Sequence, residues 1–85
     1  MAKMILDTKT VELKELNVSV EVHEGYSYVA VDPSGFVYAY EREPGYDSCE
    51  GYWVSSCCEE YLGLIFFESD LERELCKNKF WKVGE

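Results

Sequence analysis

Positive charge is scarce in this chain: eight Lys and Arg stand against seventeen Asp and Glu in 85 residues, leaving a net charge of -9. That surplus repels phosphate backbones and anionic lipid headgroups, which argues against direct binding to DNA, RNA or an acidic membrane. Long apolar runs are also missing. The longest, Leu62 to Phe67, is interrupted by Gly63 and falls far short of the roughly 18 to 20 residues of a membrane span. The opening Met-Ala-Lys-Met-Ile-Leu-Asp lacks the apolar core, roughly 7 to 15 residues long, of a secretory signal. The expectation is a soluble protein that stays in the cytoplasm.

Catalytic groups are equally thin. His23 is the only histidine, hence the only side chain that titrates near neutrality when unperturbed, and it falls on the polar phase of its strand. No Ser-His-Asp or Cys-His set assembles, no glycine-rich phosphate loop occurs, and the neighbours Glu59 and Glu60 are too local to divide acid and base roles. A non-enzymatic protein without a cofactor is expected.

What is present is ordinary globular composition, 47% hydrophobic and 29% charged, in a chain long enough for one core. Residues 1 to 85 are read as a single domain. Leu16, Val18, Val20 and Val22 alternate with Asn17, Ser19, Glu21 and His23, the period of a half-buried strand. Val11 and Leu13 alternate in the opposite phase, so a turn or bulge near Lys14 and Glu15 must reset the register. Tyr26 to Asp32 and Phe36 to Glu41 flank Asp32-Pro33-Ser34-Gly35, a type I turn sequence, and predict a β-hairpin with bulk on both faces. Glu43 to Gly51 reads as an exposed loop. Tyr52 to Ser55 and Leu62 to Phe67 read as further strands, with Cys57 to Tyr61 as either a connecting turn or one helical turn. Ser69 followed by Glu72 is a capping box that starts a helix, with Leu71 and Leu75 as its buried stripe and Asn78 at its end. Phe80, Trp81 and Val83 return to the core, alongside Phe36, Trp53, Phe66 and Phe67. The fold class is α+β: an antiparallel meander of four to six strands with one C-terminal helix packed on a face.

Four cysteines, Cys49, Cys57, Cys58 and Cys76, are separated by seven, zero and seventeen residues, which matches neither paired two-residue knuckles nor Cys-Cys-His-His spacing. In an extended segment Cys57 and Cys58 would point to opposite faces. Reduced cysteines acting as small hydrophobes are expected. A cysteine-based metal or redox module is the competing class.

Tyrosine and acid are concentrated. Tyr26, Tyr28, Tyr38 and Tyr40 are placed to form a ladder on one hairpin face. From Glu41 to Glu74 ten acids face two bases, a balance of -8, against -1 for the remainder. Tyrosines interleave with these acids, and tyrosine suits recognition because it offers rigid area with a polar tip. The candidate contact residues are Glu41, Glu43, Tyr46, Asp47, Glu50, Tyr52, Glu59, Glu60 and Tyr61. An acidic surface of this kind imitates the phosphate pattern of nucleic acid and complements a basic groove.

The run Tyr28-Val29-Ala30-Val31-Asp32-Pro33-Ser34-Gly35-Phe36-Val37-Tyr38-Ala39-Tyr40, then Pro44, Trp53, Leu62-Gly63 and Trp81, resembles a pattern found in small bacteriophage proteins. The resemblance covers roughly residues 26 to 63 and brings no catalytic residues. It implies a phage or mobile-element origin and an inhibitor that docks on a basic, nucleic-acid-binding host or defence protein, in the manner of anti-CRISPR proteins. Homodimerisation through an exposed strand or tyrosine face is compatible with this, since small sheets leave edges that pair. A self-associating phage assembly component is the remaining alternative.

Overall fold

A computed structural model describes Ala2 and residues 7–84. Eight strands and one helix follow in order: β1 (Thr8–Leu13), β2 (Val18–His23), β3 (Tyr28–Val31), β4 (Phe36–Tyr40), β5 (Gly45–Asp47), β6 (Tyr52–Val54), β7 (Glu59–Leu64), α1 (Asp70–Cys76) and β8 (Trp81–Lys82). All pairings are antiparallel, so the α+β class with one C-terminal helix holds. The strands divide into three sheets rather than one meander. A central four-stranded sheet, ordered β7-β4-β3-β8, is flanked by the β1-β2 and β5-β6 hairpins.

The phase change after Leu13 is made by a single 3-10 turn at Lys14–Leu16, closed by Asn17 in the left-handed region at φ 56°. Asparagine tolerates that conformation because its short side chain bonds locally. The register then sets Val11 opposite Val20 and Leu13 opposite Val18, giving this hairpin one apolar face. The β3-β4 turn also follows its sequence: the Gly35 N–H donates to the Asp32 carbonyl at 2.8 Å. Gly35 takes φ +101°, and a Cβ there would collide with the Ile65 carbonyl. Only glycine allows both the backbone angle and the close approach.

Alternation across β3 and β4 separates two cores. Val29, Val31, Val37 and Ala39 face one way and pack with Val11, Leu13, Leu16 and Val22 of the first hairpin, with Cys76 of α1 and with Trp81. Ala30 and Tyr40 face the other way and pack with Trp53, while Tyr28, Tyr38, Tyr46 and Phe80 lean on that smaller cluster.

Several local expectations are corrected. Residues 43 to 51 are not wholly loop, because Gly45–Asp47 pairs with Tyr52–Val54. Asp47 drives this: its Oδ1 accepts from the Cys49 and Glu50 N–H groups at 3.0 and 3.1 Å, closing a turn that ends at Gly51 with φ +79°. The last long strand begins at Glu59 and ends at Leu64, and it follows a bend at Ser56 and Cys57 that separates it from β6. In α1 the capping Ser69 Oγ accepts from the Glu72 N–H at 3.4 Å. Leu71, however, is 83% exposed. The helix is only two turns long and docks through Leu75 and Cys76, which rotates Leu71 away from the sheet. Phe66 is 86% exposed and Phe36 also lies at the surface. Ile65 and Phe67 pack on the core instead, so the chain's alternation carries Phe66 outward.

Candidate functional site

The β5-β6 hairpin stands beside the second face of the central sheet and covers only part of it. One residue anchors it. The Trp53 indole N–H is shared between the Val31 carbonyl at 3.1 Å and the Cys76 carbonyl at 2.9 Å, and its backbone N–H donates to Asp32 Oδ1 at 2.9 Å. Its ring meets Tyr46 and Phe80 edge-on at 5.5 and 6.0 Å. Asp32 is only 9% exposed. Loss of hydration raises its carboxyl above the ordinary aspartate value, and the Trp53 N–H opposes that shift. Burial likewise raises the Tyr40 phenol, with nearby Asp32 and Glu59 adding to the effect.

Between this hairpin and strands β4 and β7 lies an open groove of about 730 Å³. Phe36, Tyr38 and Tyr40 form its floor, residues 50 to 55 one wall, and Cys57, Cys58 and Glu59 one end. Its lining includes the carboxylates of Asp32, Glu50 and Glu59 and neither lysine nor arginine. Lys14, Lys79 and Lys82 line a separate hollow with Trp81. Tyr61 extends the floor, its ring 5.5 Å from Tyr38 and 6.0 Å from Phe36, and is 53% exposed.

The residues singled out in the sequence therefore divide. Glu50, Tyr52 and Glu59 line the groove, and Tyr61 adjoins it. Glu41 lies beyond the end of β4 and accepts a bond from Cys57 Sγ at 3.0 Å. Glu43 is exposed in the segment leading to β5. Asp47 spends its carboxylate on the turn, and Tyr46 packs against Trp53. Glu60 sits one residue from Glu59 but points to the opposite face, where Oε1 lies 2.7 Å from His23 Nδ1. The tyrosine ladder comprises Tyr28, Tyr38 and Tyr40. Tyr26 belongs to the other core.

Phe36 and Tyr38 of the groove were absent from the sequence-based contact set. The signal available was their shared parity with Tyr40, which puts all three on one face of the strand. The cysteines are corrected too. All four are free, but only Cys76 behaves as a buried small hydrophobe. The bend at Ser56 and Cys57 removes the extended geometry, so the Cys57 and Cys58 sulfurs share a side with Glu41, all three ligand atoms lying within 4.8 Å of one another. The Glu41 carboxylate, by accepting a hydrogen bond from the neutral Cys57 thiol and repelling the thiolate, raises that thiol above the usual range.

Comparison with protein-family models, curated proteins and solved structures gives no match to this chain. Among the described residues no helix is long and apolar enough to cross a membrane.

Proposed function

We propose that this protein is a non-catalytic binding protein that receives a basic segment of a partner in the groove between the β5-β6 hairpin and the central sheet. The observation that carries the reading is the lining itself: an aromatic floor bordered by carboxylates, with no lysine or arginine among the lining residues. Glu50 and Glu59 supply complementary charge, while Tyr38, Tyr61 and Phe36 offer ring faces over which guanidinium groups stack, worth about 0.5 to 1 kcal/mol each at exposed sites. The partner class proposed is a basic protein that otherwise holds nucleic acid. The resemblance to phage proteins suggests a host or defence protein in that role.

The test is retention of lysate proteins on the immobilised chain at low salt, followed by a salt gradient and by competition with duplex DNA. Wild type is expected to hold basic proteins that DNA displaces. A Glu50→Gln, Glu59→Gln, Tyr61→Ala variant is expected to release them at lower salt. Identical elution of variant and wild type overturns the groove as the docking surface. Self-association is a second reading, favoured by the exposed Phe66 and Leu71. Sedimentation of wild type against Phe66→Ser, Leu71→Ser decides it, a concentration-independent monomer in both refuting it.

A further inference from the structure

The groove's far end holds chemistry that docking a basic segment does not use. Glu41 follows β4, and Cys57 and Cys58 precede β7. The β4-β7 ladder fixes these segments beside each other: Tyr40 pairs with Glu59, and the Glu41 N–H points to the Cys58 carbonyl at 3.4 Å. Two thiols and one carboxylate are thereby presented from a braced framework, their ligand atoms within 4.8 Å of one another and Cys57 Sγ 3.0 Å from Glu41 Oε2. A tetrahedral zinc with Zn–S of about 2.3 Å and Zn–O of about 2.0 to 2.2 Å spaces two sulfurs and an oxygen by about 3.5 to 3.8 Å. Side-chain rotations moving an atom by about 1 Å close the difference.

We propose that Glu41, Cys57 and Cys58 form a binding site for a thiophilic divalent cation of the zinc class, with the fourth position left to water or to a partner's side chain. The donor set selects the ion: paired thiolates favour zinc and cadmium over magnesium or calcium, which require oxygen ligands. On binding, each thiol gives its proton to solvent and the carboxylate coordinates as it stands. The resulting centre carries one net negative charge, from two thiolates, one carboxylate and a dication. Cys58 and Glu41 are exposed and Cys57 is partly so, which leaves the ion an entry path. The site stands independently of what occupies the groove.

Cadmium titration of the full-length, reduced protein tests the proposal, read by the ultraviolet thiolate-to-metal charge-transfer absorption and by competition with Zn²⁺. Wild type is expected to saturate at one ion per chain at micromolar concentrations and to show a raised Tm with Zn²⁺ present. Losing an outer partner of a metal ligand costs about 10- to 100-fold in affinity. Cys57→Ser and Cys58→Ser are therefore each expected to weaken binding by at least about 100-fold, and Glu41→Gln by about tenfold. Cys49→Ser should change nothing. Tryptophan fluorescence of the variants, reporting the buried Trp53 and Trp81, separates lost ligands from lost fold. Saturation only at millimolar cadmium overturns the site, as does binding that survives Cys58→Ser or requires Cys49. Unaltered affinity in Glu41→Gln removes the carboxylate and overturns the three-ligand centre.

Discussion

The two faces of the central sheet are built from the same two strands, yet they differ in kind. One face presents Val29, Val31, Val37 and Ala39, fully covered by the first hairpin, α1 and Trp81. The other presents half-buried Tyr28 and Tyr38 beside a Tyr40 closed over by Trp53, and is only partly roofed, by Trp53, Tyr46 and Phe80. Aliphatic side chains have no polar atoms to satisfy and tolerate complete burial. Tyrosines, with hydroxyl tips that need water or a partner, suit a half-open face. Stability concentrates on the first face and contact area on the second.

The largest effect expected from breaking this division is on the aliphatic side. Leu13→Ala, at a fully buried position, should cost about 2 to 5 kcal/mol in denaturant unfolding. Tyr61→Ala, on the aromatic face, should stay within about 0.5 kcal/mol. Equal losses would erase the distinction. Next comes the joint between the hairpin and the sheet. Asp32→Ala strands the Trp53 N–H and should cost about 1 to 3 kcal/mol, whereas Asp32→Asn keeps an acceptor there.

The asparagine variant also isolates the titration. Because the native Asp32 carboxyl binds its proton more tightly than an unfolded aspartate does, the ionised form opposes folding at neutral pH. Acidification through the raised native value and down to the unfolded one, near 4, restores that stability. Wild type should therefore gain on Asp32→Asn as pH falls across this window in parallel thermal melts. A constant difference would show that Asp32 does not titrate as described. The smallest test separates neighbours. Glu59→Gln should lower affinity for a basic partner and flatten its salt dependence, while Glu60→Gln, beside His23 on the other face, should leave both unchanged in the same binding assay.

Local chemistry made much of the fold legible. Strict alternation announced β2, the Asp32 to Gly35 tetrapeptide announced the central hairpin, and Ser69 with Glu72 announced the start of α1. Where the reading missed, long-range packing decided. Nothing local says that a two-turn helix will dock through Cys76 and turn Leu71 outward. Three-residue strands such as β5 are too short for a period, and only the Asp47 turn betrays them. For the site, composition located the acidic stretch but not its facing. Glu59 and Glu60 are equivalent as letters, and the pairing of β7 with β4 sends them to opposite sides. The bend that brings Cys57 and Cys58 beside Glu41 likewise depends on a loop whose path the ladder dictates.

Trp53 has a consequence of its own. The β5-β6 hairpin shares no backbone ladder with the central sheet, and the Trp53 hydrogen bonds and ring contacts fasten it there. It is hinged like a door on one bolt, so small changes around the indole, at Tyr46 or Phe80, would widen or narrow the groove without disturbing the aliphatic core. A lineage carrying this fold has a means of adjusting what it grips while leaving the foundation that keeps it folded alone.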